Sequence, residues 1–195
     1  MKTAKRTVGI LFILIGIGLV GYPFYYHWEQ QQEIDELTSS IHAISTGGDI
    51  EVSPKMRKKL EDGVMHLKIP SIELNQPVLS ETNEENLNIA LTQIKTNQTP
   101  GQGNFTIAGH RSMNQGRHFN RLPEVTTDEK IILVSDNKEY HYIAYEIATI
   151  EPEDIEVLED MENKKQITLI TCNTTGTKRV MVKGELEKIV DLESA

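Results

Sequence analysis

Gln166-Ile-Thr-Leu-Ile-Thr-Cys172 runs into Asn173-Thr174-Thr175-Gly176-Thr177, and the chain resumes with Lys178-Arg179-Val180-Met181-Val182-Lys183-Gly184. The first segment is rich in β-branched residues and is followed by a turn cluster, so it reads as a strand, with 178–184 as the returning strand. Side chains alternate faces along a strand. Ile167 and Leu169 therefore share one face, and Cys172 lies on the other. Across the turn, Val180 and Val182 share a face while Arg179 points the opposite way. If residues 173–178 close a hairpin, Cys172 and Arg179 become cross-strand neighbours off the core face, with Cβ atoms about 5 Å apart. A guanidinium beside a thiol favours the thiolate, the nucleophilic form.

A cysteine nucleophile needs a proton-transfer partner, usually histidine. Of six histidines, His110 stands out because it ends Asn104-Phe-Thr-Ile-Ala-Gly-His110, a second strand-like run. Phe105 and Ile107 are expected to face the core, and His110 to point the other way. Taken singly, a cysteine is more often a small buried hydrophobe, and a histidine is often structural. His66, His118 and His141 have no comparable setting. Three reactive side chains at strand ends on outward faces argue for a site.

The residues Thr168-Leu169-Ile170-Thr171-Cys172, the Arg179 seven positions later, and Ala108-Gly109-His110 resemble the signatures of sortases, most similar to class A. Sortases are the cysteine transpeptidases of Gram-positive cell surfaces. The resemblance covers about residues 63–188, and its strength lies in three motifs occurring in order. It implies an all-β fold, a closed eight-stranded barrel with a few short helices. It implies Cys172 as nucleophile, His110 as acid and base, and Arg179 as stabiliser of the oxyanion or holder of the substrate backbone. Ala108, Thr171, Ile155, Val157 and Leu158 are the implied substrate-binding residues. The implied substrate is a secreted protein with a C-terminal Leu-Pro-any-Thr-Gly sorting signal, cut between Thr and Gly. The implied acceptor is the amine of a lipid-linked peptidoglycan precursor. A class D-like or pilus-assembling class C role is an alternative within the family. A cysteine protease using the same dyad, or a non-catalytic tethered binding module, is an alternative outside it.

The N-terminus sets the expected location. Lys2, Lys5 and Arg6 precede residues 8–26, a stretch without charge. As a helix this stretch spans about 28 Å, close to the hydrocarbon thickness of a bilayer. Tyr22, Tyr25, Tyr26 and Trp28 cluster at its far end, as an interfacial aromatic belt does, and the basic flank places the N-terminus in the cytoplasm. Bulky residues there offer no small-residue cleavage site, which favours a retained anchor over a signal peptide. The expected organisation is a basic tail at 1–7, a single-pass transmembrane anchor at 8–28, an extracytoplasmic stalk at 29–62 and a catalytic barrel at 63–195.

Net charge is −9, and it becomes −12 once Lys2, Lys5 and Arg6 are set aside, which argues against a nucleic-acid partner. A single cysteine excludes an intrachain disulfide and a cysteine-based zinc cluster. The stalk carries Ile34, Leu37, Ile41 and Ile44 at helical spacing. In the barrel, short strands are expected at 66–69, 76–79, 130–135 and 139–149, with a short helix capped near Asn83 and running to Leu91. Residues 151–162 are strongly acidic, with Pro152 suited to a helix start and Ile155, Leu158 and Met161 on one side. That segment is expected either to pack as an amphipathic helix or to line the substrate groove. Its carboxylates are also a candidate set for calcium, although carboxylate runs without an EF-hand pattern are mostly solvated, and no cofactor is expected.

Overall fold

The computed structural model describes residues 2–46, 52–60, 63–111 and 118–192. The chain divides into two compact units, Met1–Val52 and Ser53–Ala195.

The first unit is one helix, α1, Lys2–Thr46, with Pro23 inside it. At ~1.5 Å per residue it is about 68 Å long, twice what a bilayer core requires. The expected stalk therefore begins as a continuation of the same helix. Residues 29–37 are rich in the helix formers Glu, Gln and Leu, and no glycine or proline interrupts the run before Gly47. The helix contains a span long and apolar enough to cross a membrane, with mean hydropathy 1.8. Its large apolar side chains, from Ile10 to Trp28, are exposed. Tyr22 stacks on Tyr26 with ring centroids 6.5 Å apart, and Tyr25 lies 6.3 Å from Trp28. These are the i,i+3 and i,i+4 neighbours of a helical surface.

The second unit opens with a short helix, α2, Pro54–Leu60, whose Met56 amide donates to the Ser53 hydroxyl. Eight strands follow: β1 Met65–Ile69, β2 Leu74–Leu79, β3 Leu91–Gln93, β4 Asn104–Ala108, β5 Lys130–Ser135, β6 Lys138–Ile150, β7 Gln166–Cys172 and β8 Arg179–Asp191. They close into a barrel in the order β1-β2-β3-β4-β7-β8-β6-β5, as expected for the fold class. The β2–β3 and β4–β7 pairs are parallel, and the other pairs are antiparallel.

Alternate residues fill the interior. Leu67, Ile69, Phe105, Ile107, Ile131, Leu133, Ile167, Leu169 and Val182 are fully buried. Each contributes roughly 1.5–3 kcal/mol of transfer free energy relative to exposure. Tyr142 is buried among them, and its hydroxyl accepts from the Gly101 amide at 3.0 Å. Burial pushes its ionisation up to about 12, so it stays neutral. Tyr142→Phe strips the buried Gly101 amide of its acceptor, with an expected cost of about 1–3 kcal/mol. Thermal unfolding of the variant measures it, and an unchanged Tm would contradict it.

Some boundaries differ from the sequence reading, each for a physical reason. The short helix, α3, Glu84–Ile89, is capped by Asn83, whose side chain accepts from the Asn86 amide, and it ends before Leu91. Ala90 turns extended, and Leu91 instead enters the barrel as the first residue of β3. Strand β8 runs well past Gly184 to Asp191. That glycine is buried where Ile167 and the Tyr142 Cβ approach within 3.2 Å of an added Cβ, so it fits a close strand crossing and does not end the strand. Residues 151–162 form no helix beyond a single 3-10 turn, Ile155–Leu158. Ile155 is 66 % and Met161 47 % exposed, so the expected apolar side does not pack. The carbonyls of Val157, Leu158 and Glu159 accept from the side chains of Asn104 and Lys95, which hold the segment in its non-helical path.

Candidate active site

The hairpin at the end of β7 is closed by its turn. The Asn173 amide donates to the Lys178 carbonyl at 2.9 Å, and the Lys178 amide donates to the Asn173 side chain at 3.2 Å. Gly176 takes φ +75° there, a conformation that favours glycine. The ladder therefore ends on the pair Cys172 and Arg179.

Strand β4 lies on the other side of β7, parallel to it, with Ala108 opposite Ile170. The Gly109 amide continues the ladder by donating to the Ile170 carbonyl at 3.1 Å. His110 follows Ala108 by two residues, as Cys172 follows Ile170. Neighbouring strands are about 4.8 Å apart. Cys172 thus lies on β7 between Arg179 on β8 and the end of β4, which His110 follows by two residues. Cys172 and Arg179 are half-buried and His110 is exposed.

The backbone around His110 is tightly held. Its carbonyl accepts from the Phe119 amide at 3.1 Å, and Arg111 pairs with His118. Gly109 is wedged between two core side chains, and an added Cβ would lie 2.5 Å from Leu91 and 2.7 Å from Phe119. Arg179 is turned toward its own turn: one guanidinium nitrogen donates to the carbonyls of Gly176 at 3.3 Å and Lys178 at 3.2 Å.

His66 and His141 stand on other strands. His66, on β1, is half-buried, and burial, aided by Lys68, holds its pKa below the ordinary value against a hydrogen bond to Asn75. His141 pairs with Glu139 at 2.8 Å on β6. His118 is buried and forms a backbone bridge with Arg111, the residue after His110.

The expected substrate-binding residues divide. Ala108 is half-buried on the outward side of β4, beside Ile170 and in line with Cys172. Thr171 has the inward parity and is 2 % exposed, with its hydroxyl lacking a hydrogen-bond partner. Ile155, Val157 and Leu158 lie on the segment joining β6 to β7, which is tied down at both ends. Near Cys172, Glu151 pairs with Lys178 at 2.6 Å. At the start of β4, Lys95 donates to the Leu158 carbonyl and the Asp160 carboxylate, both at 2.9 Å. Asn104 donates from its amide to Asp160 at 2.9 Å and from its side chain to the Val157 carbonyl at 3.0 Å. Asn104 and His110 are six residues apart, about 20 Å along a strand. The segment therefore travels the outside of the barrel from the Cys172 end to the far end.

The functional weight of Asn104 and Lys95 was not visible in the sequence. Asn104 is a buried polar residue at the head of β4 that also accepts from the Thr168 hydroxyl at 2.7 Å. An asparagine opening an apolar strand was the available signal. Lys95 and Asn104 also line a polar cleft of about 360 Å³, with Gln98, Gln102 and Asp160, at the end of β4 away from Cys172.

Among the described residues, no three His, Cys, Asp or Glu side chains gather to hold an ion. Asp160 already receives the Lys95 ammonium and the Asn104 amide, which hold its carboxyl below the usual range. A depressed carboxyl contributes its attachment above its unfolded pKa and loses it as pH falls through the folded value. Lys95→Ala, or acidification below the usual carboxylate range, is expected to free residues 157–160. Because the pair is exposed, the cost to global stability stays below about 1 kcal/mol. Hydrogen exchange of this segment reports the release, and unchanged protection in Lys95→Ala would refute it.

A sortase domain model matches residues 67–187. The chain belongs to the sortase family. Its relatives include sortase A of Bacillus anthracis, 28 % identical with 92 % of each chain covered. Sortase A of Listeria monocytogenes is also 28 % identical, covering 94 % of this chain and 92 % of the relative. The solved structure of Listeria monocytogenes sortase A superposes with TM-score 0.64 at 33 % identity, covering 67 % of this chain and 91 % of that one. The sortase is therefore class A-like, a cysteine transpeptidase of a family that acts on secreted proteins bearing sorting signals.

Proposed function

We propose that this sortase cleaves a Leu-Pro-any-Thr-Gly signal between Thr and Gly and joins the threonyl carbonyl to the amine of a lipid-linked cell-wall precursor. What supports the reading is the Cys172–Arg179 pair that ends the β7–β8 ladder, with β4 parallel to β7 on its other side and His110 two residues past the end of β4. The half-buried row of Ala108, Ile170 and Cys172 supplies the floor for an extended peptide, and the segment bearing Ile155, Val157 and Leu158 supplies a wall.

Cys172, as thiolate, attacks the Thr carbonyl carbon. Charge builds on the carbonyl oxygen, where Arg179 compensates it after turning from the Gly176 and Lys178 carbonyls. The C–N bond breaks as His110 protonates the departing glycine nitrogen, leaving a thioester on Cys172. His110 then takes a proton from the incoming amine as its nitrogen attacks the thioester carbon, and the C–S bond breaks to return the thiolate. Helix α1 holds the barrel on the outer side of the membrane with Lys2, Lys5 and Arg6 in the cytoplasm, which concentrates the enzyme with lipid-borne acceptors.

The test uses the full chain in detergent with a fluorogenic Leu-Pro-Glu-Thr-Gly peptide, with and without a glycine-based amine. Cleavage whose product changes from acid to amide on amine addition is expected. Acid in both conditions would identify a protease. No cleavage of this peptide would overturn the proposed signal.

A further inference from the structure

Lys178 sits at a junction of contacts beside the site. Its carbonyl accepts the Asn173 amide, which closes the turn after Cys172, and also the Arg179 guanidinium. Its ammonium reaches the Glu151 carboxylate at 2.6 Å, and that pairing raises the Lys178 pKa. Glu151 immediately follows β6, whose last residue, Ile150, pairs with Arg179. The Glu151 amide in turn donates to Asp154 at 2.9 Å, which leads into the Ile155–Leu158 turn. A continuous set of contacts therefore runs from Arg179 through Lys178 and Glu151 to the segment beside the candidate groove.

Within the turn, Arg179 has only carbonyl partners, and no described carboxylate engages it. Its guanidinium is therefore placed by the backbone of Gly176 and Lys178. That backbone is exposed on a loop, and among the described residues the Lys178–Glu151 ion pair is what ties its side chains to a neighbouring segment. A movement of the turn carries the guanidinium with it.

We propose that Lys178 and Glu151 are positioning residues for the sortase reaction: their ion pair fixes the turn that carries Arg179 and couples it to the segment walling the substrate groove. The proposal rests on the reading of Arg179 given above. Neither residue touches the reacting atoms. Each acts through the placement of the guanidinium, so their removal affects turnover more than ground-state peptide binding.

The experiment compares wild type, Glu151→Gln, Lys178→Arg, and the exchanged pair Glu151→Lys with Lys178→Glu, all as full chains in detergent. Peptide cleavage is measured at low and at molar salt. Because both side chains are about half exposed, Glu151→Gln is expected to lower kcat by up to about fivefold at low salt, with KM little changed. Lys178→Arg is expected to retain the wild-type rate, and the exchanged pair to recover most of it. Molar salt, which weakens solvent-exposed ion pairs, is expected to bring wild type part of the way down toward Glu151→Gln while leaving that variant unaffected. In an Arg179→Lys background the Glu151→Gln effect is expected to vanish, since coupled residues are non-additive.

Full activity of Glu151→Gln at low salt overturns the proposal. So does a defect of equal size with and without Arg179, or an exchanged pair that keeps its Tm but recovers nothing. If Glu151→Gln fails to fold, Lys178→Arg and the exchanged pair still decide. A wild type without Cys172-dependent turnover removes the underlying reading and this proposal together, whereas turnover insensitive to all the changes removes this proposal alone.

Discussion

Cys172→Ala is expected to abolish both peptide cleavage and amine transfer, a loss of at least about a thousandfold. The fold is expected to be untouched. Cys172 ends the β7 ladder with a half-buried side chain on the outward parity, so truncation opens no cavity in the barrel interior. A stability change within about 0.5 kcal/mol is expected, as for changes away from the core. The paired measurement is peptide turnover with thermal unfolding of the same preparation. Retained turnover at unchanged Tm would remove Cys172 from the mechanism.

Gly109→Ala is expected to damage stability and turnover together. The new methyl meets Leu91 at 2.5 Å and Phe119 at 2.7 Å, and both side chains are fully buried, so neither can retreat into solvent. The backbone must move. Overpacking of this kind costs about 1–3 kcal/mol. Gly109 also donates the bond that sets β4 against β7 one residue before His110. A displacement near 1 Å at a catalytic group costs on the order of a hundredfold in rate. Adding Leu91→Ala, which clears the nearer obstacle, is expected to restore part of the rate. A Gly109→Ala protein with wild-type Tm and rate would show that the space is not limiting.

Much of the barrel was legible because alternation is a local signal. Phe105 and Ile107, Ile167 and Leu169, and Val180 and Val182 each announce an inward face, and the turn residues 173–178 announce a hairpin. The Cys172–Arg179 pairing follows from those two facts alone. The adjacency of β4 and β7 was harder to read, because it is a parallel pairing between strands that no turn connects. Family resemblance supplied that neighbour relation. Residues 151–162 misled for the opposite reason. Their helical spacing is real, but Lys95 and Asn104 capture the carbonyls from a distant part of the chain, and such tertiary capture leaves no local mark. The length of α1 was under-read because the change from apolar to polar residues near Glu29 marks a change of solvent, which need not be a change of conformation.

The parallel contact between β4 and β7 has a consequence for how the enzyme comes to life. Asn104 pairs with Gln166, sixty-two positions later, so the loop that must close before this contact forms is long. Contacts of such separation slow folding, since loop-closure entropy is lost before they contribute. The pairing that brings β4 beside the Cys172 strand forms only when that closure is complete, after nearly the whole chain has been made. A nascent chain thus carries Cys172 before its surroundings exist, and under the proposed mechanism catalytic competence is the last property of the molecule to mature. In refolding, turnover is expected to lag behind the recovery of secondary structure.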